Sequence, residues 1–202
     1  MALEKDFFRQ VMGHFATGVT VVTTNNHGTI GGLTVNAFCS LSLDPPLVLV
    51  CVDLTSNTLP LIRESKCFAV NMLTDKQESL SRCFATPSIE RFERFCDAPY
   101  HTAVTGAPVL DDVLAFIDTR VVAEYPGGDH VIFIGQVEAM GTAHHIEFTH
   151  DENSASNTVA THDGHIKEHE EHHPLGYYRG QYRHLSQFYR QQSIPNYENV
   201  RE

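Results

Sequence analysis

The 202-residue chain has 42% hydrophobic residues and a net charge of −11, a composition typical of a folded globular protein and not of a disordered one. An acidic surface disfavours nucleic acid and anionic membranes as partners, and no apolar run approaches the roughly 20 residues needed to cross a bilayer. Charges interrupt the apolar positions of the first 15 residues, so we expect no secretory signal.

The cysteines predict a reducing environment. They are odd in number and none has CxxC spacing, which favours reduced core thiols over disulfides or a zinc knuckle and indicates a cytoplasmic protein. The five are Cys39, Cys51, Cys67, Cys83 and Cys96.

The chain begins with a predicted amphipathic helix at residues 5–15, in which Phe8, Val11, Met12 and Phe15 share one face. The elements expected next are a strand at 18–24, a hairpin turn at 25–28, strands at 30–38 and 47–53 separated by a proline breaker at 44–46, and a short helix at 58–64.

The second half of the chain adds more strands. We expect a buried strand at 67–73, a helix at 75–85, an irregular region at 86–113, long strands at 114–125 and 130–140 joined by a turn, and a last strand at 176–185. Hairpins without a βαβ rhythm predict a mainly β fold with peripheral helices, a closed antiparallel barrel and not a doubly wound sheet. Neither GxGxxG nor GxxxxGK[ST] occurs.

A His-rich acidic insertion occupies residues 144–173 or thereabouts. It holds seven carboxylates and one lysine, and eight of the thirteen histidines: His144, His145, His150, His162, His165, His169, His172 and His173. The i, i+4 spacing of His165, His169 and His173, with Glu168, Glu170 and Glu171 nearby, is compatible with a metal site. The other interpretation is a solvated acidic flap, and we assign no metal ligand. We expect a lid or a partner-docking element, because loops of this length are usually functional or disordered.

Six motifs in order resemble the short-chain flavin reductase family. They are FRQVMGHFATGVTVVTT (8–24), GLTVNAFCSLSLDPPLVLVCVD (32–53), FAVNML (68–73), LSRCFA (80–85), GDHVIFIGQV (128–137) and PLGYYRGQYR (174–183). The resemblance implies a single domain over 1–202, folded as an antiparallel Greek-key split β-barrel that binds FMN or FAD. It also implies a homodimer that oxidises NADH or NADPH and supplies reduced flavin to a partner monooxygenase.

The polar interruption of the strand at 30–38 is where the resemblance places the flavin ring and ribityl chain. The matching residues are Thr34, Val35, Asn36, Ala37, Phe38, Ser40 and Leu41. Small side chains on a strand edge leave backbone donors and acceptors within reach of the flavin heteroatoms. The alternative is an ordinary strand whose polar side faces water.

The turn before the short helix matches the family's phosphate-binding turn. Its residues are Thr55, Ser56, Asn57 and Thr58, and free amides at a helix N-terminus bind anions. Family members often have a lysine or arginine here, and this chain has none, so we expect Arg91 or another basic residue to reach in. Phe84 and Ala85 match a further contact on the phosphate side. The alternatives are a helix cap at Ser56 or Asn57 and simple packing for Phe84 and Ala85.

His130 is implied to lie beside the nicotinamide and to orient it, since hydride transfer needs positioning more than a general base. Tyr177, Tyr178 and Arg179 match the segment that flanks the pyridine nucleotide, and of these we expect Tyr178 and Arg179 to contact the ligand. Without the resemblance, His130 is a histidine that caps a hairpin turn.

Two rival functions stay open. One is a non-catalytic flavin-binding module, or one that senses metal through the insertion. The other is a split-barrel oxidase that retains its flavin and uses oxygen itself.

Overall fold

The computed structural model describes residues 4–142, 145–148 and 172–184. The helices in this part are α1 (Lys5–Met12), α2 (Thr58–Ser65), α3 (Glu78–Ala85) and α4 (Ile89–Phe92). The strands are β1 (Thr17–Gly18), β2 (Thr20–Asn26), β3 (Thr29–Val35), β4 (Phe38–Leu43), β5 (Pro46–Asp53), β6 (Cys67–Met72), β7 (Tyr100–Thr102), β8 (Pro108–Leu110), β9 (Ala115–Gly127), β10 (His130–Thr142), β11 (His145–Phe148), β12 (Leu175–Tyr178) and β13 (Gln181–His184). Among these helices, none has the length and apolar character that a bilayer span requires.

One antiparallel sheet dominates the fold, with the strand order β3-β2-β6-β9-β10-β5-β4 and β11 paired to the far end of β10. β3 and β4 are consecutive in the chain and yet form the two edges of the sheet. The sheet therefore curls until its edges approach each other, and the prediction of a mainly β, antiparallel fold is confirmed. Smaller sheets pair β1-β12-β13 and β7-β8.

The core lies inside the curled sheet and follows the two-residue period of its strands. On β5, Val48, Val50 and Val52 are buried, while Leu49 and Cys51 between them point to the other face. The buried valines join Phe68 from β6, Phe133 from β10 and Leu59 and Ile62 from α2 in one apolar cluster.

The predicted strand at 30–38 is split in two. β3 ends at Val35 and β4 begins at Phe38, with the exposed Asn36 and Ala37 between them. The split follows from the topology, because the chain must cross here from one edge of the sheet to the other. The predicted strand at 176–185 is likewise the hairpin of β12 and β13, which turns at Arg179 and Gly180, both with positive φ.

The region 86–113, predicted to be irregular, contains α4, the short strands β7 and β8, and a 3-10 turn at Phe95–Asp97. Phe95, Cys96 and Asp97 all have left-handed φ, of 50°, 56° and 49°. Such a run is rare, since each non-glycine residue in this conformation costs on the order of 1–2 kcal/mol.

The prediction that all cysteines are reduced is wrong. Cys83 on α3 and Cys96 in the left-handed turn form a disulfide, while Cys39, Cys51 and Cys67 are free. The two cysteines are 13 positions apart in sequence, and the fold brings them together. Their spacing in the sequence therefore does not predict the disulfide. The argument for a cytoplasmic location that rested on reduced thiols is therefore lost.

α1 matches its predicted position but ends at Met12, three residues early. None of its residues is buried, and the face that carries Phe8, Val11, Met12 and, beyond the helix, Phe15 is at least half exposed. The apolar face therefore has no partner among the residues that the structure describes.

The insertion predicted at 144–173 lies largely outside the described residues, which include only the backbone of 145–148 and residues 172–173. The expected lid or docking role of this segment, and the assignment of 1–202 to a single domain, stay predictions.

Candidate functional site

A continuous crevice runs along β3 and past its C-terminal end, formed by three adjoining cavities. The polar cavity, of about 260 Å³, is lined by Thr34 together with Thr55, Asn57 and Arg91. The middle cavity, of about 180 Å³, shares Thr34 with it and continues to Asn36. The apolar cavity, of about 610 Å³, shares Asn36 and is lined by residues of β4, β5 and the segment after α1.

The edge of β3 that faces away from β2 has no strand partner, since β3 ends the sheet. The carbonyl of Gly32 on this edge accepts from Arg91 Nε at 2.9 Å and from Thr58 Oγ1 at 3.3 Å. Backbone groups of an antiparallel strand alternate between its two edges, so those of Thr34 face the same side as those of Gly32. This is the open strand edge predicted from the small residues of the segment.

The side chain of Thr34 is less free than predicted. Its hydroxyl donates to the carbonyl of Ser81 on α3 at 2.6 Å. Ser81, which is fully buried, in turn shares a 2.9 Å hydroxyl contact with Tyr182 of β13. Thr34 therefore offers its backbone to a ligand, while its side chain ties the β3 edge to α3 and the C-terminal hairpin.

Two of the four predicted phosphate-turn residues already use their donors within the protein. Asp53 accepts from both the amide and the hydroxyl of Thr55, at 2.7 and 2.6 Å, and these bonds hold the pKa of Asp53 below its ordinary value. Thr58 donates its hydroxyl to Gly32 and its amide to Ser56 Oγ at 3.3 Å. Within the described residues, the hydroxyl hydrogen of Ser56 and the side chain of Asn57, which makes no cap bond, remain available.

Arg91 is the cation that lines the polar cavity beside the turn, which has none of its own. The side chain is half-buried, and its Nη2 lies 3.5 Å from Thr58 Oγ1. Burial lowers its pKa, but a guanidinium stays charged at any physiological pH. It has no ion pair with a carboxylate in the described part of the chain, so two of its nitrogens can turn to an anion in the polar cavity.

Phe84 and Ala85 at the end of α3 also line the polar cavity. Phe84 is fully buried and packs against Phe95, with ring centroids 5.0 Å apart. A Cβ added to Gly32 would lie 2.7 Å from the Phe84 ring. Phe84 therefore packs against its neighbours and also lines the polar cavity.

Five further residues of the segment predicted to contact the flavin ring and ribityl chain divide into two groups. Ala37 and Phe38 line the apolar cavity. The side chain of Val35 packs in the core, and Ser40 and Leu41 lie on the exposed edge strand β4, outside the three cavities. Only Ala37 and Phe38 of these five line the crevice.

His130 opens β10 directly opposite Asp53 on β5. Its Nδ1 lies 2.7 Å from Asp129 Oδ1 and lowers the pKa of that carboxyl. The carbonyl of Asp129 accepts from the amide of Leu54 at 3.0 Å, which ties the hairpin to the start of the phosphate turn. Paired strands lie about 5 Å apart, so His130 is next to Asp53, which lines the polar cavity, but His130 itself does not line any of the three cavities.

Tyr178 and Arg179 lie against the end of α1 and outside the three cavities. Arg179 donates its amide to Gly13 at 2.8 Å and places Nη2 2.9 Å from His14 Nε2. Tyr177 and Tyr182 line the middle cavity instead. The alternation of a strand predicts that neighbouring tyrosines face opposite sides, but only the β1–β12 pairing decides which one faces the crevice.

Other lining residues escaped prediction. Asp53, Pro87 and Phe92 border the polar cavity, and Cys39 and Cys51 the apolar one. A carboxylate at the end of a buried strand was a visible signal for Asp53, whereas nothing in the sequence indicated the other four.

The donor set fits the phosphate end of a flavin mononucleotide. A guanidinium, a hydroxyl and a helix-start amide are groups that proteins use to bind phosphate, and the open β3 edge leads from them toward the apolar cavity. Within the described ranges no cluster of three or more His, Cys, Asp or Glu residues could hold a metal ion. His165 and His169 lie outside those ranges.

Comparisons with known proteins agree on one family. The family model for the flavin reductase like domain matches residues 12–186. The chain is similar to the reductase component of a 4-nitrophenol 4-monooxygenase/4-nitrocatechol 2-monooxygenase from Rhodococcus opacus, with 42% identity over 135 residues, or 67% of this chain and 71% of that protein. It is also similar to a flavin reductase (NADH) from Kitasatospora aureofaciens, with 43% identity over 141 residues, or 69% of this chain and 73% of that protein.

The solved structure of nitrilotriacetate monooxygenase component B from Mycobacterium thermoresistibile superposes with a TM-score of 0.74 at 29% identity. The superposition covers 96% of this chain and 93% of the chain of that structure. Together with the antiparallel sheet, this match confirms the predicted split-barrel fold. The matched range, the fold and the identities agree, and the chain belongs to the flavin reductase like family.

Proposed function

We propose that this protein is an NAD(P)H:flavin oxidoreductase that reduces FMN or FAD with NADH or NADPH and supplies the reduced flavin to a separate monooxygenase. The observation that carries the proposal is the crevice itself. Arg91, Ser56 and Asn57 form an anion-binding end, and the unpaired β3 edge leads from there to an apolar cavity. Similarity to a monooxygenase reductase component and to an NADH-dependent flavin reductase supports the same conclusion.

The protein's part in such a reaction is to bind and orient. When both ligands are bound, the dihydronicotinamide supplies a hydride that the flavin ring accepts. With flavin bound, Arg91 and the turn would hold the phosphate and the backbone of Thr34 and Asn36 would hydrogen-bond the flavin ring. His130 would orient the nicotinamide. Positioning of this kind lowers the barrier without a general base.

The proposal is tested by mixing the purified protein with FMN or FAD and with NADH or NADPH under argon. Repeated turnover is expected, seen as loss of flavin absorbance near 450 nm and nucleotide oxidation well beyond one equivalent per chain. A protein that binds flavin but is inert to both nucleotides would be a flavin-binding module. The four combinations also reveal which flavin and which nucleotide are preferred.

Whether the protein releases its reduced flavin distinguishes a reductase component from an oxidase. We expect reduced flavin to pass through an ultrafiltration membrane under argon, because both ends of the crevice are open at the surface of this chain. Reduced flavin retained by the protein together with substrate oxygenation in air would instead indicate an oxidase that keeps its flavin.

We also propose that the protein is a homodimer, with α1 and the apolar cavity at the contact. Met12 and Phe15 line that cavity and are 51% and 71% exposed. A second copy would cover this apolar face and close the apolar cavity to water, while the polar end of the crevice stays open for the flavin to leave.

A further inference from the structure

We infer that the Cys83–Cys96 disulfide is a reversible thiol–disulfide site that sets how tightly the polar cavity binds the phosphate end of its flavin. The inference rests on the proposed function and adds a control to the same site. Its basis is the position of the crosslink relative to the wall of the cavity.

The disulfide closes a loop that is itself part of the cavity. Between the two cysteines, which are 13 positions apart, lie Pro87, Arg91 and Phe92, all of which line the polar cavity. Cys83 directly precedes Phe84 and Ala85, which line it as well. The crosslink therefore joins the two ends of the segment that brings the cation to the phosphate turn.

The segment is held by the crosslink, by the Arg91 side chain and by Phe95, which packs in a buried apolar cluster. α4 has only four residues, and the cap bond from the Arg91 amide to Ser88 Oγ is 3.3 Å long. The Arg91 side chain anchors to β3 through the Gly32 carbonyl. A single turn of helix is not stable by itself, so the position of α4 depends on these anchors, of which the crosslink is one.

Cys96, at the C-terminal end of the crosslinked segment, lies in a turn under conformational strain. Cys96 is the middle of the three left-handed residues, and Phe95 before it packs against the Phe84 ring. When the crosslink is opened, this turn is free to relax to an ordinary conformation. Relaxation would move Phe95 relative to Phe84, and Phe84 contacts the same glycine whose carbonyl holds Arg91.

Both cysteines of the disulfide are partly exposed. A small dithiol can therefore attack Cys83 or Cys96. One thiolate of the reductant bonds to one protein sulfur and displaces the other as a thiolate. The second reductant thiol then displaces the first protein sulfur, which leaves two protein thiols and a cyclic disulfide. Two electrons and two protons are thereby transferred to the protein.

The test compares the oxidised protein with protein reduced by dithiothreitol and freed of reductant under argon. Titration of thiols in denaturant must give three in the first sample and five in the second. The dissociation constants of FMN and of riboflavin, which lacks the phosphate, are then measured by fluorescence quenching. We expect reduction to weaken FMN binding about fivefold to thirtyfold, through loss of a charge-assisted contact, and riboflavin binding less than twofold.

Two variants sharpen the result. Cys83→Ser should bind FMN like the reduced protein and show no response to dithiothreitol. Cys67→Ala, which removes a free thiol away from the crevice, should keep the full response.

Equal FMN affinity in the two redox states, or a Cys83→Ser variant that binds like the oxidised protein, would overturn the inference. So would equal weakening of FMN and riboflavin, since that indicates general loosening of the fold. If neither flavin binds the oxidised protein, the proposed function itself is wrong.

Discussion

At the scale of single residues, Arg91 decides whether the polar cavity attracts an anion. The chain has a net charge of −11, and Asp53 lines the same cavity as a carboxylate. Residues 54–58 contribute no cation. A phosphate therefore meets a favourable charge only because the fold brings in a residue from more than thirty positions away.

Replacement of Arg91 by alanine should weaken FMN binding about tenfold to a hundredfold and riboflavin binding less than threefold, because a charge-assisted contact to the phosphate is lost. Dissociation constants from fluorescence quenching check this. Arg63→Ala, which removes an exposed arginine paired with Glu124, is the matched control. Equal losses for FMN and riboflavin would show that Arg91 supports the fold and not the phosphate.

His130 should act on the nicotinamide and not on the flavin. In His130→Ala we expect kcat/KM for the nucleotide to fall about tenfold to a hundredfold, the size of a lost positioning contact, with the flavin dissociation constant unchanged. Steady-state kinetics and flavin titration measure the two effects separately. His101→Ala, at an exposed histidine that contacts Asp111, should leave both unchanged. Undiminished nucleotide oxidation in His130→Ala would remove this residue from the mechanism.

At the scale of secondary-structure elements, the close contact of β3 with α3 shapes the crevice. Gly32→Ala would place a methyl group 2.7 Å from the Phe84 ring. We expect the free energy of unfolding to fall by about 1–3 kcal/mol, as overpacking of a well-packed core does. Urea denaturation checks this against Gly18→Ala, where a Cβ would have no neighbour within 4 Å. Similar stability of the two variants would mean that α3 shifts freely.

Asp118 on β9 makes the stability of the barrel depend on pH. It is fully buried and accepts from the amide of Thr105 at 2.8 Å and from the Thr105 hydroxyl. Burial raises its pKa above the ordinary aspartate value despite these bonds. A raised pKa means that the folded protein binds this proton more tightly than the unfolded chain, so the contribution is present at acid pH and is lost as pH rises through the raised pKa.

Asp118→Asn should remove this dependence. The difference in unfolding free energy between wild type and Asp118→Asn is therefore expected to shift in favour of the variant as pH rises from about 3.5 to 7. Urea titrations of both proteins at several pH values give the slope. A difference that is flat, or that shifts toward wild type, contradicts the raised pKa.

At the scale of the whole molecule, the exposed apolar face of α1 predicts association. Phe15→Glu would place a charge in the proposed contact between copies. We expect the mass from light scattering to fall from that of two chains to one at micromolar concentration, and flavin binding to weaken about tenfold or more, because buried unpaired charges disrupt interfaces. Leu43→Glu, at a residue 93% exposed on β4, is the control for a charge at an exposed apolar position. A wild type that is monomeric at every concentration would disprove the dimer.

Local patterns were enough for most of the elements. The hairpin turns predicted at 25–28 and 126–129, the strand predicted at 47–53 and the helix predicted at 58–64 agree with the structure. The helix predicted at 75–85 is a 3-10 turn at Asp75–Gln77 followed by α3. These features depend on period, turn chemistry and local charge, which are properties of short stretches of chain. The six motifs, taken in chain order, also predicted the family and its barrel fold.

Sequence patterns and motifs were sufficient to predict an antiparallel, mainly β protein of the flavin reductase family with small polar residues at 34–40. Which groups in the crevice are free became known only from the folded chain. It showed Thr34, Thr55 and Thr58 already bonded, Tyr177 in place of Tyr178, and Cys83 joined to Cys96. The physical reason is that a donor's availability depends on partners far away in the chain, which only folding brings into contact.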